Sequence, residues 1–518
     1  MRVLVTGGTG VVGTATVTEL LRCGHTVRLL SRHATEESRQ WPSGVEAWDA
    51  SVADADAIRG AADGCGAVVH LVAIVSESPP EATFERVNVQ GTRNVVAEAE
   101  RAQVARLVYI SSLGCDRGSS PYHKSKLEGE RIALASSLDT SVLRISSIYG
   151  PGDEIISLLV KMVRTLPAVP TINDGDDVFQ PMWVEDAAQA IVTCMERDDL
   201  NHDVLEIAGP DTTSMNDVID RLRKLTGREP VAIPVPGVLA VLGSRLAAAV
   251  GMDVPLDAGQ VTMLEEGNVI HDPAGNALER LGVTPTSLAD GLAKLLDVLP
   301  EQLPDAGVGA LMRKRVWADI AGATLSPELL FERFRTRFAE LTPDTMDMGA
   351  EPGTPAQPTE GATITMALPV RGNVQVRVEE LTPRSMTLIT LEGHPLAGAV
   401  RFLSEQRGED VRFEVQVYDR PANAADWMVM RSIGQPMQLA TWRTLVERVV
   451  NESGGRAPDG VQTDVESLDA LQAERVEAWL RDLVLARKRD ETAAQTGRGA
   501  SAESSPDSAD AQFTDAPG

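Results

Sequence analysis

The sequence predicts an α/β protein that begins with a doubly wound parallel sheet and continues into an α+β domain with an antiparallel sheet. Between Arg2 and about Leu296, short apolar runs alternate with amphipathic stretches, a pattern typical of strand–helix–strand units. After Pro300, several segments instead alternate apolar and polar residues one by one. Beyond Arg487 the chain is rich in Ser, Ala, Asp, Gly and Thr, which predicts disorder.

A chain of 518 residues is long enough for two or three domains, each with its own core. We therefore predict four regions. They are an α/β domain with a small subdomain (residues 1–300), an α+β domain (301–460), a helical extension (461–490) and a disordered tail (491–518).

Five apolar runs in the first region predict buried parallel strands, because a sheet covered by helices on both faces needs strands without a polar side. They are Val3–Val5, Val27–Leu30, Val68–Val72, Leu107–Ile110 and Val142–Ile145. The intervening segments Thr14–Cys23 and Thr92–Ala102 have helical spacing of apolar residues, and Gly24 and Gln103 are expected to end them.

The second part is predicted to begin with helices at Leu311–Ile320 and Pro327–Leu341, followed by a loop at 342–361. Alternating segments then predict an antiparallel sheet. They are Thr363–Leu368, Val374–Val378, Met386–Leu391, Val411–Val417 and Trp427–Met430. Amphipathic helices are expected at Leu439–Val450 and Val465–Ala486.

The composition excludes several classes of protein. A net charge of −27 argues against nonspecific binding to nucleic acid or anionic lipid. The longest apolar candidate, Val235–Met252, is too short and broken to span a bilayer, and no secretion signal is visible. The four cysteines are widely separated, without metal-ligand spacing, and are expected to be reduced thiols. We therefore expect a cytoplasmic protein without metal, and an oligomer is compatible with the sequence.

The run Thr6-Gly7-Gly8-Thr9-Gly10-Val11-Val12-Gly13 follows a strand and opens a helix, the context that a dinucleotide-binding loop requires. Gly7 allows a tight turn, Gly10 allows the backbone to approach a pyrophosphate, and Gly13 allows close packing of helix and strand. The helix N-terminus, with Thr9 and Val11, would then present free N–H groups to the phosphates. The alternative interpretation is a flexible glycine turn.

The coenzyme predicted from the second strand is NADP(H). That strand ends in Ser31-Arg32, where an NAD-binding domain usually has an acidic residue for the ribose hydroxyls. Without that carboxylate a 2′-phosphate meets no repulsion, and Arg32 can pair with it. NAD remains the second coenzyme that the pattern allows, and a solvated surface charge is the alternative role of Arg32.

A candidate catalytic pair occurs in Tyr122-His123-Lys124-Ser125-Lys126, because a spacing of four places Tyr122 and Lys126 one helical turn apart. An ammonium group beside the phenol, together with the positive nicotinamide of the coenzyme, would lower the phenol pKa and let Tyr122 exchange a proton with a substrate oxygen. Ser112 follows the strand that starts at Leu107, at the sheet edge where such folds bind ligands, and Ser111 is the close alternative. A helix-surface pair is the alternative interpretation of Tyr122 and Lys126.

These features together resemble the extended short-chain dehydrogenase/reductases, in the atypical branch that includes the reductase-like accessory subunit of respiratory complex I. The resemblance covers residues 1–298 and implies a Rossmann-type fold. Ordered matches support it beyond the glycine loop; they are Trp48-Asp49, His70-Leu71-Val72-Ala73, Asn88–Asn94, Arg144–Asp153 and Val184–Ala187.

The resemblance also implies roles for individual residues. Asp49 would contact the adenine, and Ala73 would belong to the cofactor-binding turn after the fourth strand. Lys126 would hold the nicotinamide ribose, and Ser112 would be the third catalytic residue. Only nine residues separate Ser112 from Tyr122, fewer than in the sugar-nucleotide epimerases of the family, so a nucleotide-sugar substrate is disfavoured.

The segments after Gly372 loosely resemble START-related helix-grip proteins, which often enclose an apolar cavity; a filled core is the alternative.

The sequence leaves three candidate functions. The first is an NADP(H)-dependent oxidoreductase that acts on a carbonyl or alcohol group of a small molecule, which could be apolar. Epimerase or dehydratase chemistry is a variant of this function. The second is a non-catalytic NAD(P)H-binding structural or regulatory protein like the complex I subunit. The third is a fusion whose second domain presents an apolar substrate to the reductase.

Overall fold

The computed structural model describes residues 1–236, 268–343, 346–348, 351, 355, 357–368, 372–429 and 434–497. The predicted apolar stretch Val235–Met252 lies mostly outside these residues. Within the described ranges, no helix is long and apolar enough to cross a membrane.

A seven-stranded parallel sheet forms the centre of the first part, in the order β11-β6-β5-β4-β1-β2-β3. Its five central strands are mostly buried, as expected for a sheet covered on both faces, whereas the edge strands β3 and β11 are partly exposed. The strands are β1 (Arg2–Thr6), β2 (Thr26–Ser31), β3 (Val45–Asp49), β4 (Ala67–His70), β5 (Arg106–Ser112), β6 (Asp139–Ile145) and β11 (Val204–Ile207). The predicted doubly wound fold is confirmed.

Helices cover the two faces of this sheet and bury two separate apolar clusters. The helices are α1 (Val11–Arg22), α2 (Ala34–Glu37), α3 (Gly91–Arg101), α4 (Pro121–Leu134) and α6 (Val184–Glu196). Gly24 and Gln103 follow α1 and α3 with φ of +83° and +56°, so both segments end where the sequence predicted. A π-helical turn, Glu85–Gln90, leads directly into α3.

A small subdomain follows the sheet and has its own apolar cluster. It contains three two-stranded pairings, β7–β10, β9–β12 and β8–β13. The strands are β7 (Ile148–Tyr149), β8 (Ala168–Ile172), β9 (Val178–Phe179), β10 (Met182–Trp183), β12 (Thr213–Ser214) and β13 (Val231–Val235). Its helices are α5 (Ile156–Thr165), α7 (Met215–Thr226) and α8 (Leu288–Asp297).

The second part is built on an eight-stranded antiparallel sheet in the order β15-β16-β17-β18-β19-β20-β14-β21. The strands are β14 (Met312–Ile320), β15 (Asp347–Met348), β16 (Thr363–Leu368), β17 (Gly372–Leu381), β18 (Ser385–Thr390), β19 (Leu396–Arg407), β20 (Asp410–Pro421) and β21 (Gln462–Ser467). The predicted antiparallel sheet is confirmed, although β19 and β21 were not predicted as strands and β15 lies within the predicted loop 342–361.

The predicted helix at Leu311–Ile320 is wrong, because this segment is strand β14. It pairs with β20 from Met312 to Ile320, and Lys314, Val316, Ala318 and Ile320 face the core at every second position. The apolar residues of this short segment fit a helical and a strand pattern equally well, so that only pairing with a distant strand decides between them.

Three further boundaries differ from the predictions. The predicted strand Trp427–Met430 is instead helix α11 (Ala424–Val429), with Met430 outside the described residues. Helix α13 (Ala470–Thr496) begins after Val465 and continues beyond residue 490, so the predicted extension and tail boundaries are wrong there. A capping box between Asp469 and Gln472 fixes its start. Residues 498–518 of the predicted tail lie outside the described residues.

The core between the second sheet and its covering helices is filled with aromatic rings. These helices are α9 (Pro327–Thr336), α10 (Phe338–Leu341) and α12 (Gln435–Glu452). The Phe334 ring lies 5.1 Å from Phe402 and 5.0 Å from Phe413, and Trp442 packs on Phe402 at 5.8 Å. Such rings occupy the space that a ligand cavity would need, which favours the filled-core alternative. The resemblance to helix-grip proteins stays a prediction.

The two parts of the chain contact each other through buried polar groups. Arg164 of α5 is 3% exposed and donates to Glu351 at 2.6 Å and to Gln375 of β17 at 2.7 Å. Arg377 donates to the carbonyl oxygen of Leu299 at 3.0 Å. Helix α13 packs on the back of the second sheet and also contacts α1. Residue 300, the predicted boundary, therefore lies inside an interface, and the independence of the regions stays a prediction.

Candidate active site

The glycine-rich loop connects β1 to α1. Gly7 has a φ of +73°, and a Cβ there would lie 2.9 Å from the Val72 side chain. A Cβ at Gly13 would lie 2.1 Å from the carbonyl oxygen of Gly7, so that only glycine permits this approach of helix and loop. A Cβ at Gly10 would meet nothing closer than 3.7 Å, so the space in front of this residue is open.

The N-terminus of α1 has backbone donors without partners in its own helix. Gly10 is the N-cap residue, contributes no side-chain cap, and is followed by a first turn without acidic residues. Thr9 and Val11 flank it and are half-buried. Because these N–H groups lie at the positive end of the helix dipole, they suit an anion. The residues present fit the dinucleotide that the sequence predicts.

The end of β2 carries a carboxylate that the sequence analysis missed. Ser31 and Arg32 follow the predicted order, and Arg32 is exposed. The Ser31 hydroxyl donates a hydrogen bond of 2.7 Å to the carboxylate of Glu37. The premise that no acidic group lies at this strand end is therefore wrong. Glu37 is six positions after Ser31, and the turn and the short helix α2 place its carboxylate at the end of β2. The pattern of residues in the strand does not indicate this contact.

Asp49, the predicted adenine contact, is exposed at the end of β3. Its carboxylate accepts the Thr35 backbone N–H at 2.9 Å and also the Thr35 hydroxyl. The hydroxyl and then the backbone hydrogen bond of Thr35 lower the pKa of Asp49. Asp49 thereby fixes the position of α2, and its contact with adenine stays a prediction.

The turn after β4 is held by buried hydrogen bonds. Ala73 lies between Val72, which contacts Gly7, and Ile74, whose N–H donates to the Asn88 side chain at 2.8 Å. His70 at the strand end contacts the Thr6 hydroxyl at 2.6 Å through Nδ1 and the Thr92 hydroxyl at 3.0 Å through Nε2.

Both ring nitrogens of His70 are thus engaged in fixed roles. Because the Thr92 hydroxyl donates to the Asn88 carbonyl at 2.6 Å, it accepts from His70, which places the imidazole proton on Nε2. Burial, and secondarily the Lys126 charge, lower the pKa of His70 to about 3. His70 is therefore a neutral link between β1, β4 and α3.

Helix α4 brings Tyr122 next to Ser112. The helix starts after Ser120, whose side chain accepts the His123 backbone N–H at 3.1 Å. The side chain of Ser112, the last residue of β5, lies close enough to the Tyr122 hydroxyl to act on its pKa as a hydrogen-bond partner. One turn later, the Lys126 ammonium donates to the Ile110 carbonyl at 2.6 Å and lies 4.7 Å from the centroid of the Tyr109 ring. The three predicted catalytic side chains thus converge at the carboxyl end of β5.

Ser111 has different neighbours from Ser112. Its hydroxyl lies 3.4 Å from the sulfur of Cys115, which in turn lies 3.5 Å from a Glu130 carboxylate oxygen. Glu130 accepts two hydrogen bonds from Arg144, at 3.1 and 2.8 Å. This buried network lies beneath the site, and its members are too far apart in sequence for spacing to reveal it. Its geometry favours Ser112 over Ser111 as the substrate-facing hydroxyl.

The pKa values of the pair differ from the expectation. Burial raises the pKa of Tyr122 to about 12, although the Ser112 hydrogen bond opposes this change. Burial lowers the pKa of Lys126 to about 8. Lys126 is directed at the Ile110 carbonyl, so the ammonium group does not lower the phenol pKa by itself. A lowering by the ammonium group and a bound nicotinamide together stays a prediction.

Two further stretches that resemble the family contain carboxylates that hold helices in place. Asp153 accepts the Ile156 N–H at 2.6 Å and the Ser157 hydroxyl at 2.7 Å at the start of α5. Asp186 of α6 accepts the Thr286 N–H at 2.6 Å. These carboxylates cap and connect elements of the small subdomain.

Comparison with known proteins agrees with this geometry. Residues 3–208 match the model of the NAD dependent epimerase/dehydratase family. A ceramide reductase of Caulobacter vibrioides is 29% identical over 240 residues, which cover 46% of this chain and 75% of that protein. A mitochondrial NADH dehydrogenase [ubiquinone] 1 alpha subcomplex subunit 9 of Arabidopsis thaliana is 23% identical over 337 residues. The match covers 63% of this chain and 81% of that protein.

Two other comparisons concern a reductase and a solved structure. A 2-alkyl-3-oxoalkanoate reductase of Stenotrophomonas maltophilia is 30% identical over 213 residues, covering 37% of this chain and 64% of that protein. The structure of the UDP-glucose 4-epimerase of Thermus thermophilus, complexed with NAD, matches with 23% identity and a TM-score of 0.46, over 57% of this chain and 98% of that one.

The fold and the site define a dinucleotide-binding type of domain that carries Tyr122 on the helix after the fifth strand. Residues 3–208 thus resemble the NAD dependent epimerase/dehydratase family, the extended short-chain dehydrogenase/reductases, as the sequence predicts. The relatives of this chain are named as reductases and dehydrogenases, and the family consists of NAD(P)-dependent oxidoreductases and epimerases.

Proposed function

We propose that the protein is an NADP(H)-dependent oxidoreductase that reduces a carbonyl group or oxidises the corresponding alcohol. The observation that carries this proposal is that Tyr122 lies next to Ser112 at the end of β5, with Lys126 one helical turn further along. A phenol, a hydroxyl and an ammonium group at the carboxyl end of a parallel strand are what a carbonyl reductase needs in order to orient and protonate a substrate oxygen.

The coenzyme would be held at three places. The N–H groups around Gly10 and Val11 would bind the diphosphate, Arg32 would pair with a 2′-phosphate, and Lys126 would hold the nicotinamide ribose. When bound, the coenzyme supplies the hydride donor or acceptor. Asp49 would lie beside the adenine end of the coenzyme, and Ala73 would lie beside its nicotinamide end.

The proton is handled by the chain's own groups. Because the pKa of Tyr122 is raised to about 12, its phenol is protonated at neutral pH and can donate to a carbonyl oxygen. Ser112 would hydrogen-bond the same substrate oxygen and so hold it within reach of the phenol. Reduction is therefore the direction that this arrangement favours.

We propose an apolar carbonyl compound as the substrate class. The loop between Ser112 and Tyr122 is short, with nine intervening residues, and leaves little chain to enclose a nucleotide sugar. The names of two relatives, a ceramide reductase and a 2-alkyl-3-oxoalkanoate reductase, denote substrates with alkyl chains. We further propose a cytoplasmic location, motivated by the net charge of −27 and the four free cysteines.

A second candidate is a coenzyme-binding protein without turnover. The observation that favours it is the similarity to the complex I subunit over 63% of this chain, which extends further than the other reported matches. The same coenzyme site would then have a structural or regulatory role.

Oxidation of NADPH in the presence of long-chain ketones, aldehydes and quinones separates the two candidates. The wild type is compared with Tyr122→Phe and with the control Tyr149→Phe, whose buried hydroxyl has no hydrogen-bond partner within the described structure. We expect turnover in the wild type and the control, and a loss of at least about a hundredfold in Tyr122→Phe. Equal and negligible turnover in all three proteins, with NADPH bound, would support the second candidate.

A further inference from the structure

The carboxylate of Glu37 lies at the strand end where coenzymes are distinguished. Its Oε2 atom accepts the hydroxyl proton of Ser31, the last residue of β2, at 2.7 Å. In dinucleotide-binding domains the end of the second strand faces the adenosine ribose, and an acid there hydrogen-bonds the 2′-hydroxyl. Glu37 therefore supplies from α2 the acidic group that positions 31 and 32 lack.

The carboxylate is held in place by the segment that carries it. The backbone N–H of Glu37 donates to the His33 carbonyl at 3.0 Å, which closes the single turn of α2. The same turn is fixed to β3 by the hydrogen bonds between Thr35 and Asp49. Two strand ends thus anchor α2, so that Glu37 occupies a defined position and not the end of a free loop.

The charges around Glu37 are distributed unevenly. Glu36 pairs with Arg481 at 3.5 Å, and Arg39 pairs with Asp482 at 2.6 Å, both partners lying on α13. Within the described residues no cationic side chain is paired with Glu37. Its negative charge is thus not neutralised locally, whereas Arg32 on the same turn is exposed and also makes no ion pair in the described part of the chain.

We propose that Glu37 is a coenzyme-selecting residue. Its carboxylate accepts a hydrogen bond from the ribose 2′-hydroxyl of NAD(H) and repels the 2′-phosphate of NADP(H), against the attraction of Arg32. This inference rests on the coenzyme site of the proposed function and refines its preference for NADP(H). The two opposing charges make the wild type discriminate only weakly between the coenzymes, and removal of the acid makes the preference for NADP(H) strong.

The test is the binding of NADH and NADPH to the full chain, measured by nucleotide fluorescence. The variants are Glu37→Gln and, with a reversed charge, Glu37→Lys. The control is Glu36→Gln, which removes a neighbouring carboxylate that already has an arginine partner. We expect Glu37→Gln to lower the Kd for NADPH relative to that for NADH by about tenfold, and Glu37→Lys to lower it further. In Glu36→Gln the ratio should stay within about twofold of the wild type.

The outcomes separate this inference from the proposed function. If both coenzymes bind and neither Glu37 variant changes the ratio of Kd values by more than the control does, the role of Glu37 is overturned and the coenzyme site stands. If the wild type binds neither coenzyme, both are overturned. Thermal unfolding of each variant confirms that the comparison is between folded proteins.

Discussion

The side-chain amide of Asn88 donates a hydrogen bond of 2.9 Å to the hydroxyl of Ser125, so that the π-helical turn before α3 is joined to the catalytic helix α4. The same side chain accepts the Ile74 N–H at 2.8 Å and donates to the Ile74 carbonyl at 3.0 Å. One buried amide therefore fixes the loop after β4, where the coenzyme would lie, relative to the helix that carries Tyr122 and Lys126. π-helical turns are often found at such functional positions.

Replacing Asn88 tests this connection. In Asn88→Leu, the N–H and the carbonyl of Ile74 and the hydroxyl of Ser125 each lose a hydrogen bond, and we expect the free energy of unfolding to fall by about 2–4 kcal/mol. Urea denaturation measures the change. Ser125→Ala removes one of these contacts and should cost about 1 kcal/mol. An Asn88→Leu protein as stable as the wild type would show that the amide contributes no net stability.

The pKa of Lys126 sets a prediction for pH dependence. Burial lowers this pKa to about 8, so the ammonium group loses its proton as the pH rises through 8. We expect the kcat/KM for ketone reduction at pH 9 to be about one tenth of that at pH 7, since about a tenth of Lys126 stays protonated. Tyr122, with a pKa of about 12, stays protonated over this range.

Lys126→Arg provides the matched variant for the pH profile. Arginine keeps its charge to a much higher pH, so that its profile should be flat between pH 7 and 9 even where the rate is reduced. A fall in rate with the same midpoint in both proteins would assign the titration to another group.

The buried contact between Arg164 and Glu351 predicts a large effect on stability. Arg164→Met leaves the Glu351 carboxylate, which is 6% exposed, without its two charge-assisted hydrogen bonds. We expect a loss of about 3–5 kcal/mol in the free energy of unfolding, because removing the cationic partner of a buried carboxylate is costly. Adding Glu351→Gln to the Arg164→Met protein should restore part of the lost free energy of unfolding.

The exposed pair of Arg384 and Glu328 is the control for this measurement, since its side chains are 56% and 39% exposed. Arg384→Met should change the free energy of unfolding by less than about 1 kcal/mol. Equal effects of the two arginine substitutions would contradict the assignment of Arg164 as the anchor between α5 and the second sheet.

Gly13→Ala tests the glycine loop. A Cβ at this position would lie 2.1 Å from the Gly7 carbonyl oxygen, so the loop or α1 must shift. We expect the Kd for NADPH to rise by at least about tenfold. Gly24→Ala is a control at the other end of α1, where a Cβ has no atom within 4 Å. Because Gly24 has a φ of +83°, this control is expected to cost stability but to leave the Kd unchanged.

The parallel sheet and the glycine loop could be predicted because their signals are local. Apolar runs such as Val3–Val5 and the spacing of Gly7, Gly10 and Gly13 each lie within one element. The convergence of Ser112, Tyr122 and Lys126 followed from the rule that open α/β sheets bind ligands at the carboxyl ends of their strands.

The remaining features depend on contacts between distant parts of the chain. Leu311–Ile320 fits both periodicities, and its pairing with β20, about a hundred residues later, makes it a strand. Glu37 reaches the end of β2 only because Thr35 is held by Asp49, and Glu351 meets Arg164 across 187 residues. The pKa of Tyr122 depends on burial, which residue spacing does not encode.

The decisive experiment is transfer of deuterium to a long-chain ketone from NADPH in which both C4 hydrogens of the nicotinamide are deuterium. With the wild type we expect mass spectrometry to find one deuterium on the carbinol carbon of the product alcohol, and with Tyr122→Phe we expect product formation to be lost. Bound NADPH with no labelled alcohol from ketones or aldehydes would show that this protein is not a carbonyl reductase.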